Sequence, residues 1–98
     1  MRETSVERRL MKKVKEAGGI CVKMMPIVAG LPDRLVLLPG GRIFLVETKA
    51  PKGEVRPAQS VWHERAATVG TEIYILWTSV QVDAWVEWAV SAPPQSGV

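Results

Sequence analysis

The pattern of hydrophobic positions predicts three helices in the chain. From Ser5 to Ala17, apolar residues recur at helical spacing and fall on one side of the segment at about 100° per residue. Thr4 and Glu7 have the spacing of a capping box, and a Gly-Gly pair after the segment is a stop signal. A second helix is predicted from Pro57 to Val69 and a third from Ser79 to Ala89. The apolar residues of the first helix are Val6, Leu10, Met11, Val14 and Ala17.

Four shorter segments have the composition of strands, with a Pro-Gly-Gly turn at 39–41 that predicts a hairpin. The element order is therefore α-β-β-β-α-β-α. We predict one α/β domain over residues 1–90 and a frayed tail over 91–98, which is rich in Pro, Ser and Gly. The predicted strands are Ile20–Met25, Arg34–Leu38, Arg42–Lys49 and Glu72–Trp77.

Composition excludes several classes of protein. Of the 98 residues, 47% are apolar and 23% charged, as in an ordinary globular domain. Because Cys21 is the single cysteine, a disulfide framework and a cysteine zinc site are excluded. Cys21 itself is predicted to be a core residue. His63 is the single histidine, which excludes a histidine metal site, and we expect it at the surface. With neither a run of about 18 apolar residues nor an apolar N-terminal segment, the chain is predicted to be cytoplasmic and without a membrane partner.

The net charge of +3 is unevenly distributed. Residues 1–23 hold seven basic and three acidic residues, residues 24–56 five and three, and residues 57–98 one and four. A basic first half favours a polyanionic partner, most commonly nucleic acid, and a solvated charged face is the alternative. The direction of the Lys23 side chain stays open: it can point toward a candidate site or along the sheet. The predicted phosphate contacts lie on the first helix and in the loop after the third strand: Arg8, Arg9, Lys12, Lys52 and Arg56.

Two carboxylates and a lysine are predicted to meet where the second and third strands pair. Glu47 and Lys49 share one face because side chains alternate along a strand. Asp33 opens the preceding strand: a three-residue turn places it opposite Glu47, and a two-residue turn places it opposite Thr48. Two carboxylates this close repel each other unless a cation lies between them, and Mg²⁺ or Mn²⁺ accepts such oxygen ligands.

Glu7 is a further candidate acid. Its position lies within the apolar stripe of the first helix, where an acid is costly unless it is paired or binds a metal. It is also the capping-box glutamate, and that role alone would explain it. In the same way, the Glu47 and Lys49 pair can be a polar strand end, and Asp33 can belong to a turn. The conjunction of these motifs favours the functional interpretation.

Together the motifs resemble those of the PD-(D/E)xK nuclease superfamily, and more narrowly its virus-type replication–repair nuclease domain, VRR-NUC. The resemblance covers nearly the whole chain and implies a restriction-endonuclease-like core, with a mixed sheet flanked by helices. It also implies that Asp33, Glu47 and the backbone carbonyl of Thr48 bind a metal, with Glu7 as the first-helix acid of the site. Lys49 would be the catalytic lysine and Gln59 the glutamine on the second helix. The matching residues are Glu7, Gly30-Leu31-Pro32-Asp33, Glu47-Thr48-Lys49 and Gln59; the implied carbonyl is that of Thr48.

For function, the resemblance implies a metal-dependent, structure-selective DNA endonuclease that uses Mg²⁺ or Mn²⁺. Minimal members of the family are associated with phage-type replication and repair, act as homodimers and cut four-way junctions, whereas larger relatives cut flaps. We therefore expect a Holliday-junction-resolving homodimer in a phage or bacterial setting. The alternatives are a nucleic-acid-binding module of the same fold, a flap or duplex nuclease acting with a partner protein, and a protein–protein interaction domain.

The four tryptophans lie in the acidic second half of the chain. Trp62 and Trp77 are predicted to pack in the core. Trp85 and Trp88 are three residues apart on the third helix and share a face that exceeds what a small core can cover. The third helix and the fourth strand are therefore predicted to form the homodimer interface.

Overall fold

The computed structural model describes residues 4–25, 27–50 and 52–93. The element order α-β-β-β-α-β-α is the predicted one, and each boundary lies within two residues of its predicted position. In this part of the chain no helix has the length and apolarity needed to cross a membrane. The helices are α1 (Ser5–Glu16), α2 (Pro57–Thr68) and α3 (Ser79–Ala89), and the strands are β1 (Ile20–Lys23), β2 (Arg34–Leu38), β3 (Arg42–Thr48) and β4 (Ile73–Leu76).

The four strands form one mixed sheet in the order β1-β2-β3-β4. The pairs β1–β2 and β2–β3 are antiparallel, whereas β4 is parallel to β3 because the chain crosses over through α2 between them. Leu38 pairs with Arg42 and Arg34 with Val46, so the hairpin has a three-residue turn. Asp33 therefore lies level with Glu47, which is the first of the two predicted registers.

The hydrophobic core lies between α1, α3 and one face of the sheet, here called the inner face. Val36, Phe44 and Val46 point to this face and are almost fully buried. An aromatic cluster of Phe44, Tyr74, Trp85 and Trp88 closes the core, with ring centroids of Phe44 and Trp85 5.2 Å apart. The helices contribute Val6, Leu10, Val14, Val82, Trp85, Val86 and Ala89.

The tryptophans differ from their predicted places. Trp85 is only 8% exposed, so the core covers it, contrary to the expectation that it is left over for an interface. Trp88 remains 46% exposed. Trp62 and Trp77 are only half-buried rather than core residues. Trp62 instead joins α2 to the loop before β2, because its indole N–H donates to the carbonyl oxygen of Ala29 at 3.0 Å.

The opposite, outer face of the sheet is only partly covered. Helix α2 lies over the β3–β4 side, where Trp62 and Ala66 line an apolar cleft of about 430 Å³ together with Leu45 and Ile73. Every residue of α2 is at least partly exposed. On the β1–β2 side, five aliphatic side chains stay half-buried or exposed and form what we call the outer patch: Ile20, Val22, Leu35, Leu37 and Ile43.

The chain after α3 is packed for longer than predicted. Ala92 is buried in the core, and its carbonyl oxygen accepts a hydrogen bond from Nε of Arg42. Within residues 91–93 of the predicted tail, the side chain of Ala92 is buried, whereas Ser91 and Pro93 are exposed. Residues 94–98, the rest of that predicted tail, lie outside the described residues.

Candidate active site

Asp33 is bonded to the end of β3. Its Oδ1 accepts a hydrogen bond from the backbone N–H of Thr48 at 2.9 Å, and its Oδ2 accepts one from the Thr48 hydroxyl at 2.8 Å. Its own carbonyl oxygen accepts from the N–H of Met24 at 2.9 Å. Contacts on both sides of β2 therefore fix this carboxylate at the rim of the sheet.

Glu47 is the buried acid of the site. Its side chain is 2% exposed, and neither carboxylate oxygen has a hydrogen-bond partner among the described residues. Lys49 Nζ lies 4.0 Å from Oε2 and His63 Nε2 lies 3.8 Å from Oε1, both beyond hydrogen-bond distance. Burial raises the pKa of Glu47 against the opposing effect of Lys49 and His63, and Asp33 raises it further. A nearby cation is what would favour the charged form of such a group.

Lys49 lies between Glu47 and the start of α2. Its Nζ donates a hydrogen bond to Oε1 of Gln59 at 2.7 Å, and the same oxygen accepts the backbone N–H of Arg56 at 2.9 Å. The backbone N–H of Lys49 donates to the carbonyl of Leu76 at 2.9 Å, which continues the pairing of β3 with β4. The predicted lysine and glutamine are thus in direct contact.

Glu7 is bonded elsewhere, on the inner side of the sheet. It forms the predicted capping box, since its N–H donates to the Thr4 hydroxyl oxygen at 3.1 Å and its Oε1 accepts the Thr4 N–H at 3.4 Å. Its Oε2 accepts a hydrogen bond from Nη2 of the buried Arg34 at 2.9 Å. Burial raises the pKa of Glu7, but the bonds from Arg34 and Thr4 and the charges of Arg34 and Lys23 outweigh it and lower the pKa overall. A direct metal role would require the bond with Arg34 to open.

The predicted phosphate contacts of the loop adjoin the acids. Lys52 and Arg56 line a cleft of about 540 Å³ that also includes Thr48 and Lys49. This loop therefore presents two cations directly beside the candidate site. A nucleic-acid backbone that reached the carboxylates would pass them.

The predicted contacts on α1 lie in a different part of the surface. Arg8 and Lys12 are exposed on this helix. The Arg9 guanidinium donates two hydrogen bonds to Asp83 of α3, at 2.8 and 2.7 Å, and the pair lowers the pKa of Asp83. Arg9 therefore already has a carboxylate partner. Lys23, whose direction the sequence left open, is exposed. It pairs with Arg34 between β1 and β2 and lies near Glu7.

Two residues of this region were missed by the sequence reasoning. His63 was expected at the surface, yet it lies beside Glu47; its spacing of four residues from Gln59 on a helix was the available signal. Arg34 was treated only as a strand start, yet it is buried and paired. Its alternation with Val36 and Leu38 places it on the core face, where a base needs an acidic partner.

A cleft of about 420 Å³ opens over the candidate site. Asp33, residues 47–49, Gln59 and the loop at 28–31 line it. Within residues 4–25, 27–50 and 52–93, no three His, Cys, Asp or Glu side chains group closely enough to enclose a metal ion. A hard cation does not need such a cage, because Mg²⁺ uses one or two carboxylates and completes its shell with waters and substrate phosphates. The buried oxygens of Glu47, which have no hydrogen-bond partner among the described residues, fit that requirement.

Two of three comparisons with known proteins found a similar protein. No family model matches the sequence. The chain is 42% identical, over 77 residues, to a protein of Acyrthosiphon pisum secondary endosymbiont phage 1 titled "Putative nuclease p44"; the match covers 78% of this chain and 83% of that protein. A solved structure titled "VRR_NUC domain" superposes with a TM-score of 0.75 and 31% identity, covering 84% of this chain and 90% of the other.

Proposed function

Since the chain belongs to the VRR-NUC family of PD-(D/E)xK nucleases, we propose that it is a divalent-metal-dependent DNA endonuclease that cuts branched DNA as a homodimer. One observation carries the proposal. Glu47 is a buried carboxylate without a hydrogen-bond partner among the described residues, and it lies beside Asp33 and Lys49 at the floor of an open cleft. Burial disfavours the charged form of such a carboxylate, and a bound cation would restore it.

The chain's own residues divide the work at this site. Asp33, Glu47 and the Thr48 carbonyl would hold the Mg²⁺ or Mn²⁺ ion. The ion, when bound, supplies a Lewis acid that stabilises charge on a scissile phosphate. The ammonium group of Lys49 would assist an attacking water or contact a phosphate oxygen, and Gln59 holds that ammonium group through the 2.7 Å bond.

Binding of the DNA backbone is assigned to the loop beside the acids. Lys52 and Arg56 line the adjoining cleft and contact phosphates, which positions a duplex arm without reading its sequence. Readout of this kind suits an enzyme that selects the shape of its substrate. Glu7 keeps α1 in place through Arg34 and supports the site from the inner side of the sheet.

The homodimer is assigned to the outer patch rather than to α3. Ile20, Val22 and Ile43 are 60%, 41% and 55% exposed, and Leu35 and Leu37 lie between them. None of these five side chains is charged, so a two-fold axis would bring apolar surface against apolar surface without repulsion. Such a dimer presents two sites symmetrically, as paired cuts across a four-way junction require.

The nuclease proposal is tested with a labelled immobile four-way junction and its parent duplex, each with Mg²⁺, Mn²⁺ or EDTA. We expect metal-dependent, symmetric nicks in the junction. Lys49→Ala should lower cleavage at least about 100-fold and leave junction binding intact, while Asp33→Asn and Glu47→Gln lose metal binding and cleavage together. Glu64→Gln, an exposed change on α2, is the matched control. Wild-type cutting by Lys49→Ala would contradict the assignment.

Other results of the same assay select among the alternatives. Equal cutting of duplex and junction keeps the nuclease and removes junction selectivity. Binding without cutting in either metal favours the nucleic-acid-binding module, or a nuclease that needs a partner protein. Weak binding with little salt dependence favours the protein–protein interaction domain.

The interface is tested separately by light scattering. Ile43→Asp should convert a dimer into a monomer, because it places a charge within the outer patch. Val80→Asp is the control, since Val80 is 79% exposed on α3, away from the patch. A dimer that survives Ile43→Asp would contradict this interface, and a monomeric wild-type protein would contradict the dimer itself.

A further inference from the structure

Helix α2 places two polar side chains against the end of β3. Gln59 and His63 are four residues apart and lie on one face of the helix. Gln59 accepts the hydrogen bond from Lys49 Nζ at 2.7 Å, and His63 Nε2 lies 3.8 Å from Oε1 of Glu47. The same face of α2 therefore meets both charged members of the Glu-Thr-Lys segment.

The two oxygens of Glu47 face different neighbours. Oε2 lies 4.0 Å from Lys49 Nζ, and Oε1 faces His63. Both oxygens and Nε2 of His63 are buried and have no hydrogen-bond partner within the described part of the chain. Leaving three such atoms together without partners is costly. The arrangement becomes favourable once a cation and its waters occupy the space beside them.

We propose that His63 is a positioning residue of the metal site: its Nε2 holds Oε1 of Glu47 and keeps the carboxylate oriented for the cation. A separation of 3.8 Å exceeds a hydrogen bond, and a small side-chain rotation completes the contact. The proposal rests on the proposed function, since it assumes that Glu47 binds a divalent ion.

A packing role for His63 makes a different prediction. The ring lies outside the buried core cluster, and its other side borders a separate surface cleft formed with Ala67, Gly70 and Thr71. If the ring only filled space, its removal would change stability and leave metal affinity unchanged. If it positions Glu47, its removal lowers metal affinity while the fold is retained.

The test measures Mn²⁺ binding to the full chain without DNA, by calorimetric titration and by water-proton relaxation. His63→Ala should weaken Mn²⁺ binding by about 10- to 100-fold, the usual effect of losing a group that orients a metal ligand. His63→Gln should retain most of the affinity because its amide nitrogen reaches the place of Nε2, whereas His63→Asn is too short and should behave as Ala. Glu64→Ala, the next residue of the same helix, controls for the change in helix propensity. Thermal unfolding in EDTA checks that each variant is folded.

Each outcome decides the proposal. Loss of affinity in His63→Ala and His63→Asn, with retention in His63→Gln, supports it. Wild-type affinity in His63→Ala overturns it. An equal loss in His63→Ala and His63→Gln also overturns it, since that would indicate direct ligation by the imidazole. If the wild-type chain itself binds no Mn²⁺ with or without DNA, the proposed function fails. That result differs from wild-type affinity in His63→Ala, which overturns only the role of His63.

Discussion

Gly30 is the position at which one added methyl group should disturb the candidate site most. Its φ is +89°, in the region that favours glycine. A Cβ at Gly30 would overlap the carbonyl oxygen of Ala58, and would lie 2.5 Å from the carbonyl carbon of that residue and 2.9 Å from the backbone nitrogen of Gln59. All three atoms belong to the backbone of α2, so no side chain can move aside. The helix or the loop itself must shift.

The size of the effect follows from a comparison with Gly41. Gly41 has φ +74°, but a Cβ there meets no described atom within 4 Å, so Gly41→Ala carries only the conformational cost, about 1–2 kcal/mol. Gly30→Ala carries that cost and a further ~1–3 kcal/mol for the overlap with α2. For a domain of this length, each 1 kcal/mol lowers Tm by roughly 4–8 °C.

The two glycine variants are compared by urea unfolding and by junction cleavage. We expect Gly30→Ala to be the less stable and also the less active at temperatures where it is folded, because a displaced α2 start moves Gln59 away from Lys49. Gly41→Ala, in the distant hairpin turn, should keep wild-type activity. Equal losses of stability in the two variants would refute the reasoning, since the contact with α2 would then have no energetic weight.

Three further predictions concern charged groups. Arg34→Met should lower the free energy of unfolding by about 2 kcal/mol because it removes a charged hydrogen bond, and adding Glu7→Gln should recover part of the loss; urea unfolding of all four forms of the pair measures both. In EDTA, the stability of Glu47→Gln relative to wild type should grow as pH rises through and above 4.5. The pKa of Glu47 is raised above 4.5 by burial, so the unfolded chain loses its proton first and the wild-type native state loses stability as pH rises. A constant difference in urea unfolding would contradict this. Lys52→Ala should reduce the slope of log K against log salt for junction binding by about one, whereas Lys15→Ala, exposed on α1, should leave it unchanged.

The fold was predictable where short-range signals decide it. The capping box at Thr4, the Pro-Gly-Gly turn and the proline at the start of α2 each act over a few residues, and the helices and strands follow them closely. The tail was not predictable in this way. Its composition indicates fraying, but Ala92 is held by contacts with the core and with Arg42, which is 50 positions away.

The candidate site was predictable to the extent that strand alternation and hairpin register determine it. These rules bring Asp33, Glu47 and Lys49 together, and the register Leu38–Arg42 selects between the two predicted pairings. The position of His63 was less accessible, because it depends on how α2 rotates about its axis as it packs on the sheet. Helical spacing from Gln59 was a signal for it, but it could be used only if Gln59 was already placed at the site.

Consecutive residues at the start of β2 connect the two sides of the sheet. Asp33 bonds to the end of β3 at the candidate site, while Arg34 points to the inner face and bonds to Glu7. A shift of α1 along its axis would therefore act on Arg34 and, through the backbone, on the residue directly before it. The capping box at Thr4 fixes where α1 begins, and Glu7 takes part in both the capping box and the bond with Arg34. In this fold, Glu7 can matter to the site without touching a metal ion.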